Sequence, residues 1–359
     1  MVQQSVFWSR FWLLVARRYC MYSMMQQEGR VQFLKYHLGT VRGVAFCPKD
    51  RYLFCSGAFD GRVNLYTAQK CILLQSYSVT TFSLARNIHA VRFTSDGRKI
   101  LATTSAGRLA VVDVETGAQL ITYESCAFNR KDRTGLAVDP KCPNTVVCTC
   151  VNGKGLAVFD LRMSIPRLYI YDLHSDIIRD VTFLGDSWPW CSGETTFVTA
   201  SVDGHGKVVT LDGRTLLDIS AGTVLQCVDP TPGPYNAMEE DGFCSVVMLG
   251  GGEVCAYLPH AGVQETLKQS GEDAIWKLKY TSNGSMLYTA CEKGVIRRYR
   301  RYPDRHEYLG EVFRHKADVQ DMDISPYDEY LVTASKDRSV GIIKLGLPNH
   351  GCTEYGEFT

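Results

Sequence analysis

No stretch of about 18 residues is apolar and free of charge anywhere in the 359-residue chain, so the sequence offers no membrane-spanning helix. Cysteines at metal-ligand spacing are missing as well. None of the 14 cysteines stands in a Cys-x-x-Cys, and the close group Cys142, Cys148 and Cys150 has no histidine beside it, which argues against zinc. Gly250-Gly251-Gly252 follows an apolar strand, but no Lys-Ser/Thr comes after it, so an inter-strand turn explains the glycines better than a phosphate loop. Neither sign of charge dominates: 39 Lys and Arg stand against 38 Asp and Glu. A formal net charge of +1 argues against a surface devoted to nucleic acid or to anionic membrane. Carboxylates are scattered at turns, where Asp bonds its own backbone. No catalytic residue, cofactor or metal is expected.

What the chain does contain is a soluble protein's balance of 45% hydrophobic and 21% charged residues, ample for a core. Cys55, Cys148, Cys150, Cys244, Cys255 and Cys291 sit singly inside apolar stretches and read as small buried hydrophobes. Thiols used in this way point to a reducing compartment, cytoplasmic and/or nuclear. Above all, an alternating apolar triplet recurs seven times: Val44-Ala45-Phe46, Val91-Arg92-Phe93, Leu136-Ala137-Val138, Val181-Thr182-Phe183, Gln226-Cys227-Val228, Leu278-Lys279-Tyr280 and Met322-Asp323-Ile324. The steps between their last residues are 47, 45, 45, 45, 52 and 44. A period of that size built from short strands is the mark of a propeller, one four-stranded blade repeated around an axis. Gln226 fits the pattern least well.

Blade one shows the internal plan. Val41 to Phe46 makes a first strand, Pro48-Lys49-Asp50 a turn, Tyr52 to Ser56 a second strand, Phe59-Asp60-Gly61 a hairpin and Val63 to Tyr66 a third strand. Ser95-Asp96-Gly97 and Ser325-Pro326-Tyr327 place the corresponding turns of blades two and seven. With these motifs the chain resembles WD40-repeat proteins over about residues 31–346, which implies an all-β, seven-bladed WD40-like β-propeller. The family's blade is often pinned by His, Ser/Thr, Asp and Trp. His37, Ser56 and Asp60 match in blade one with Tyr66 in the Trp place, and His315, Ser335 and Asp337 match in blade seven with Ile343 there. Blade four keeps His174 and Ser201 and ends in Leu211-Asp212. No blade carries Trp-Asp, so packing is expected to replace part of the polar network, and the histidines read as structural.

Blade seven runs out of chain after Leu345, while Val31 to Tyr36 precedes blade one with no other strand to pair with. The resemblance implies that this segment closes blade seven and buries its edge. The organisation is then an amphipathic extension over residues 1–29, a propeller over 30–347 and a loose tail over 348–359. Two insertions lengthen first turns: Gly185 to Glu194 in blade four, expected to expose two tryptophans, and Asp229 to Gly242 in blade five.

The expected function is a non-catalytic scaffold that binds peptide or protein partners. Position for position with Arg42, the first strands carry His89, Thr134, Arg179, Val224, Trp276 and Gln320, and the resemblance places these near the channel mouth on the narrow face. Residues before the second hairpin form another ring: Phe59, Ser105, Asn152, Gly204, Glu292 and Lys336. Arginine and aromatics are the residue types that anchor interfaces. Blades three and four also end in Asp160-Leu161-Arg162 and Asp212-Gly213-Arg214. These resemble the Trp-Asp-x-Arg box of WD40 substrate receptors that dock on the DDB1 adaptor of cullin-4 ubiquitin ligases, although both lack Trp. Arg297, Arg298, Arg300 and Arg301 make a basic cluster, expected on an outer blade edge. With residues 6–25, which are aromatic, Arg-bearing and acid-free, the cluster raises membrane-surface contact as a further alternative.

Overall fold

The computed structural model describes residues 29–79, 87–124, 126–127, 135–185, 188, 193–231, 247–251, 254–258, 262–267, 274–302 and 305–346. The N-terminal extension up to residue 28 and the tail from residue 347 lie outside the described residues, as do Thr134, Trp190 and Cys244.

Short alternating strands divided by Pro, Gly and Asp turns fold here into seven antiparallel four-stranded sheets. Their first strands are Val41–Phe46, Ile88–Phe93, Leu136–Val138, Ile178–Phe183, Leu225–Pro230, Ile275–Tyr280 and Val319–Ile324. In blades one to six the four strands follow in sequence order. Blade seven instead borrows Gln32–Leu34, which pairs antiparallel with Val340–Lys344 in the register Gln32↔Ile342 and Leu34↔Val340. The Gly29 amide adds a bond to the Lys344 carbonyl at 3.1 Å. The expected closure is present, with a strand shorter than Val31 to Tyr36.

Both faces of each blade are apolar, because each must pack against a neighbour. The core is accordingly not one mass but seven layers, one between every adjacent pair of blades. Ala45, Cys55 and Leu65 of blade one meet Val91, Ile100 and Ala110 of blade two. Leu34, Val332 and Ile342 of blade seven meet Val44, Phe54 and Tyr66 of blade one. Gly57 shows how close the approach is: a Cβ there would lie 2.6 Å from the side chains of Ile88 and Val91. Cys55, Cys148, Cys150, Cys255 and Cys291 are buried in these layers, as expected. Burial pushes the Cys126 thiol up to about 11 and raises Cys55 and Cys148 as well.

Among the described residues, three blades carry the polar pin. In blade one His37 Nδ1 bonds Asp60 at 2.9 Å, Nε2 bonds Ser56 Oγ at 2.7 Å, and the Tyr66 hydroxyl lies 3.2 Å from Ser56 Oγ. The phenol thus keeps the Trp end of the network polar rather than yielding it to packing. In blades four and seven the hydroxyl is not the expected serine. His174 Nε2 bonds Thr199 Oγ1 at 2.8 Å and His315 Nε2 bonds Thr333 Oγ1 at 2.7 Å, with Asp203 and Asp337 on the Nδ1 side. Ser201 and Ser335 instead donate to the carbonyls of Asp176 and Ala317. Each pin ties the loop entering a first strand to the turn between the second and third, so it braces one face of the ring.

Deleting residues 1–36 removes a strand pairing and the buried Leu34 side chain, a loss of about 3–4 kcal/mol. The whole ring is then expected to melt about 5–10 °C lower in one transition by calorimetry. An unchanged Tm contradicts the closure.

The pins also set an acid limit. Burial pushes the carboxyls of Asp60, Asp203 and Asp337 up, but hydrogen bonds from their histidines and from neighbouring backbone amides outweigh it and hold all three below the ordinary range. Burial lowers His174 in spite of Asp203, so we assign that ring as neutral and donating through Nδ1. Carboxyls depressed by folding lend stability above their unfolded value of about 3.9, lost as pH falls through the folded value; a depressed histidine acts in the same direction below about 6.5. Thermal stability is expected to decline below pH about 6 and most steeply below about 4, and Asp337→Asn should flatten the acid slope. Stability that rises on acidification refutes the assignment.

Candidate functional site

The inner edge of each first strand faces the central channel, where no further strand can pair with it. At the entry end of these strands the register slips by one residue. The slip falls between Val41 and Gly43, Ile88 and Ala90, Ile178 and Asp180, Leu225 and Cys227, Ile275 and Lys277, and Val319 and Asp321. A bulge re-aims its extra side chain. The extra residues are Arg42, His89, Arg179, Gln226, Trp276 and Gln320. Five of them are the expected ring members. In blade five the member is Gln226 and not Val224, because the first strand runs on through Asp229 to Pro230 and shifts the register by two.

Arg42, His89, Arg179 and Gln320 line one small cavity at the mouth. The Arg42 guanidinium donates to Gln320 Oε1 and lies 5.0 Å from the centre of the Phe59 ring. Phe59 in turn tilts against His89 at 5.4 Å. Trp276 is half-buried and does not line that cavity, and Lys336 is exposed, bonding Asp318 at 2.6 Å. Of the seven expected residues, five are therefore in contact or share a cavity, and Trp276 holds the same place on its blade.

Below the mouth lies a belt of charge absent from the expected site. Asp180, Lys277 and Asp321 stand one step inside the bulges, and Arg92, Asp229, Lys279 and Asp323 two residues further. Lys277 Nζ meets Asp180 at 2.5 Å, Arg92 meets Asp321 at 3.1 Å, and Lys279 lies 3.5 and 3.7 Å from Asp229 and Asp323. The carboxylates also reach the next blade. Asp321 accepts the Val44 amide, Asp323 that of Phe46, Asp180 that of Val228 and Asp229 that of Tyr280. Arg92 donates to the Val44 carbonyl of blade one as well. Burial works against the Arg92 charge, but Asp321 and Asp323 more than offset it; Asp229 likewise holds Lys279 protonated. A second cavity of about 290 Å³ continues the channel past Arg92, Lys277, Lys279, Asp229 and Asp323.

On the opposite face, Arg162 closes a two-bond clamp on its own Asp160, at 2.8 and 2.6 Å, and holds that carboxyl down at about 2. Asp212 accepts from the Thr210 hydroxyl and the Arg214 amide, while the Arg214 guanidinium bonds Glu194 at 2.6 Å. Both guanidinia remain exposed, at 72% and 59% of the side chain.

Two expectations are corrected. Arg297, Arg298, Arg300 and Arg301 lie on the third strand of blade six, covered by His306–Arg314, and not on an outer edge. Arg297 and Arg301 are buried beside Tyr299, and Arg297 donates to Cys291 Sγ at 3.3 Å. Trp188, expected to be exposed, is buried against Leu184, Val198 and Val228. No group of three or more His, Cys, Asp or Glu suited to a metal occurs among the described residues.

A family model described as WD domain, G-beta repeat matches residues 29–67 and 307–343, the closing strand with blade one and the end of blade six with blade seven. These stretches hold two of the three pins. The chain is a seven-bladed β-propeller that matches the WD40 repeat over these two stretches. WD40 propellers are generally interaction scaffolds and usually non-catalytic. The chain is also similar to WD repeat-containing protein 55 of Arabidopsis thaliana, 23% identical over 324 residues, covering 84% of this chain and 80% of that one.

Lys277→Met leaves Asp180 buried without its cation and is expected to cost about 3 kcal/mol in urea unfolding. Lys277→Met/Asp180→Asn should recover more than half of the loss. A single variant as stable as the parent contradicts the belt's role.

Proposed function

We propose that this propeller is a non-catalytic interaction platform whose channel mouth takes a segment of a protein partner. The observation that carries the reading is the row of bulges. In six first strands the sheet gives up regular pairing to present one side chain at the mouth, and such departures from regular structure concentrate where surfaces are used. The residues presented are arginine, tryptophan, histidine and glutamine, with Phe59 against Arg42, a composition suited to anchoring a peptide. The ten free cysteines among the described residues support a cytoplasmic or nuclear setting.

A second reading, docking on the DDB1 adaptor of cullin-4 ligases, has one observation in its favour. Arg162 and Arg214 leave consecutive blades on the same face and are exposed. Their pairing with Asp160 and Glu194 would have to be exchanged or shared on docking. Membrane recruitment loses its support from the arginine cluster, which is largely covered.

Proximity labelling of the full chain in cells separates these readings. With Phe59→Ala/Trp276→Ala, the leading neighbours of the parent should fall at least about fivefold while Tm and expression hold. With Arg162→Ala/Arg214→Ala, loss of DDB1 and cullin-4 alone supports the adaptor reading. A neighbour list that ignores the first pair of changes removes the mouth as the partner site.

A further inference from the structure

Turn hydroxyls in several blades are spent locally: Thr94 bonds Asp96, Thr116 bonds Asp113 and Thr281 bonds Asn283. Ser164 differs. It lies in the turn between the third and fourth strands of blade three, is exposed, and its hydroxyl meets no partner among the described residues. The turn is anchored on both sides of it. The Met163 amide donates to the Asp160 carbonyl, the Tyr123 hydroxyl to the Met163 carbonyl and the Arg167 amide to the Val158 carbonyl, each at 2.8 Å. Between these anchors the chain bows outward, leaving Met163 and Ile165 42% and 64% exposed.

Two exposed arginines flank the serine, Arg162 two positions before it and Arg167 three after. Arg162 is clamped on Asp160, and Arg167 adds its charge to the field on that carboxylate. An ion pair this exposed contributes little, so Arg162 can change partners at small cost. A phosphate on Ser164 brings nearly two negative charges and three acceptor oxygens, against the single charge of Asp160. Guanidinia bond phosphate with the same two-pronged geometry that they use on carboxylate. Two or three residues of chain span at most about 7–11 Å, so both arginines can reach such a phosphate.

We propose that Ser164 is a phosphorylation site whose phosphate is read within the molecule by Arg162 and Arg167. The phosphoryl donor is a nucleoside triphosphate, brought by a protein kinase that recognises arginine on either side of its target. Ser164 Oγ attacks the γ-phosphorus and the new Oγ–P bond forms as the bond to the bridging oxygen breaks. The nucleoside diphosphate leaves with that electron pair, and the hydroxyl proton passes to the kinase's base. The phosphate then draws Arg162 away from Asp160. It also places negative charge on the face opposite the mouth, where Arg162 and Arg214 are exposed. Modification thus switches that face, and the inference does not rest on what the mouth binds.

The test uses the full-length protein, the catalytic subunit of an arginine-directed serine kinase and ATP, followed by intact mass and peptide mapping. A phosphoryl group is expected on Ser164 and none at that position in Ser164→Ala. Arg162→Gln/Arg167→Gln should slow its addition about tenfold, with Tm confirming that the variants fold. Protein isolated from cells under phosphatase inhibitors should carry the same phosphopeptide. By 31P NMR the phosphate should titrate at about 6 in the unfolded chain and about half a unit lower in the folded one, a difference that the double change erases. Ser164 left unmodified in cells or by the kinase overturns the site. A phosphate on Ser164 that titrates alike in the folded and unfolded chain overturns its reading by the two arginines.

Discussion

A propeller's innermost strands each have one edge that no other strand can reach, and their amides there need acceptors inside a narrow channel. Four aspartates supply them, each reaching across to the following blade: Asp180 to Val228, Asp229 to Tyr280, Asp321 to Val44 and Asp323 to Phe46. A carboxylate placed so deep requires a cation, which accounts for Lys277, Lys279 and Arg92. Hydrophobic layers between blades hold neighbours together but allow sliding. The carboxylate bridges tie down the first strands of blades one, five and six, and so help to set the mouth that the bulges form.

The two faces of the ring consequently differ in kind. On one, pins at His37, His174 and His315 brace the entry loops while bulged side chains converge on the mouth. On the other, Arg162 and Arg214 are exposed and held only by local carboxylates. Among the described residues below the mouth, blades one to three contribute Gly43, Ala90, Gly135, Ala45 and Ala137 to the channel wall, with Arg92 as the charge. The charged belt is thus carried mainly by blades four to seven, and small residues opposite leave room for it.

Most of the fold was legible because period, turn chemistry and alternation agree with one another. Where they disagreed, the reading failed. Pro230 and Asp229 look like turn residues, so the first strand of blade five was ended two residues early and Val224 took the place of Gln226. In the pins, Ser201 and Ser335 lie nearer in sequence to the turn aspartates than Thr199 and Thr333, but each serine ends its strand and spends its hydroxyl on a carbonyl of the entry loop, while the threonine two residues earlier on the same face reaches the histidine. The arginine cluster looked like an edge because a basic, alternating strand is what an edge resembles; its cover, His306–Arg314, lies beyond a turn. The mouth was found by counting positions along equivalent strands. The channel belt was missed although Lys277-x-Lys279 and Asp321-x-Asp323 sit at matched places, because charge at alternate positions of a strand does not by itself say which way that face points. Only the pairing of distant blades shows that it faces inward.

Hydrogen exchange at the inner-strand amides tests this account most directly. If the aspartate bridges order the channel, the peptides containing Val44, Phe46, Val228 and Tyr280 exchange only through global unfolding, at the rate of the slowest core strands. Fast local exchange there, with the interblade layers still protected, would mean that the channel is merely solvated and that the bridges do not set the mouth.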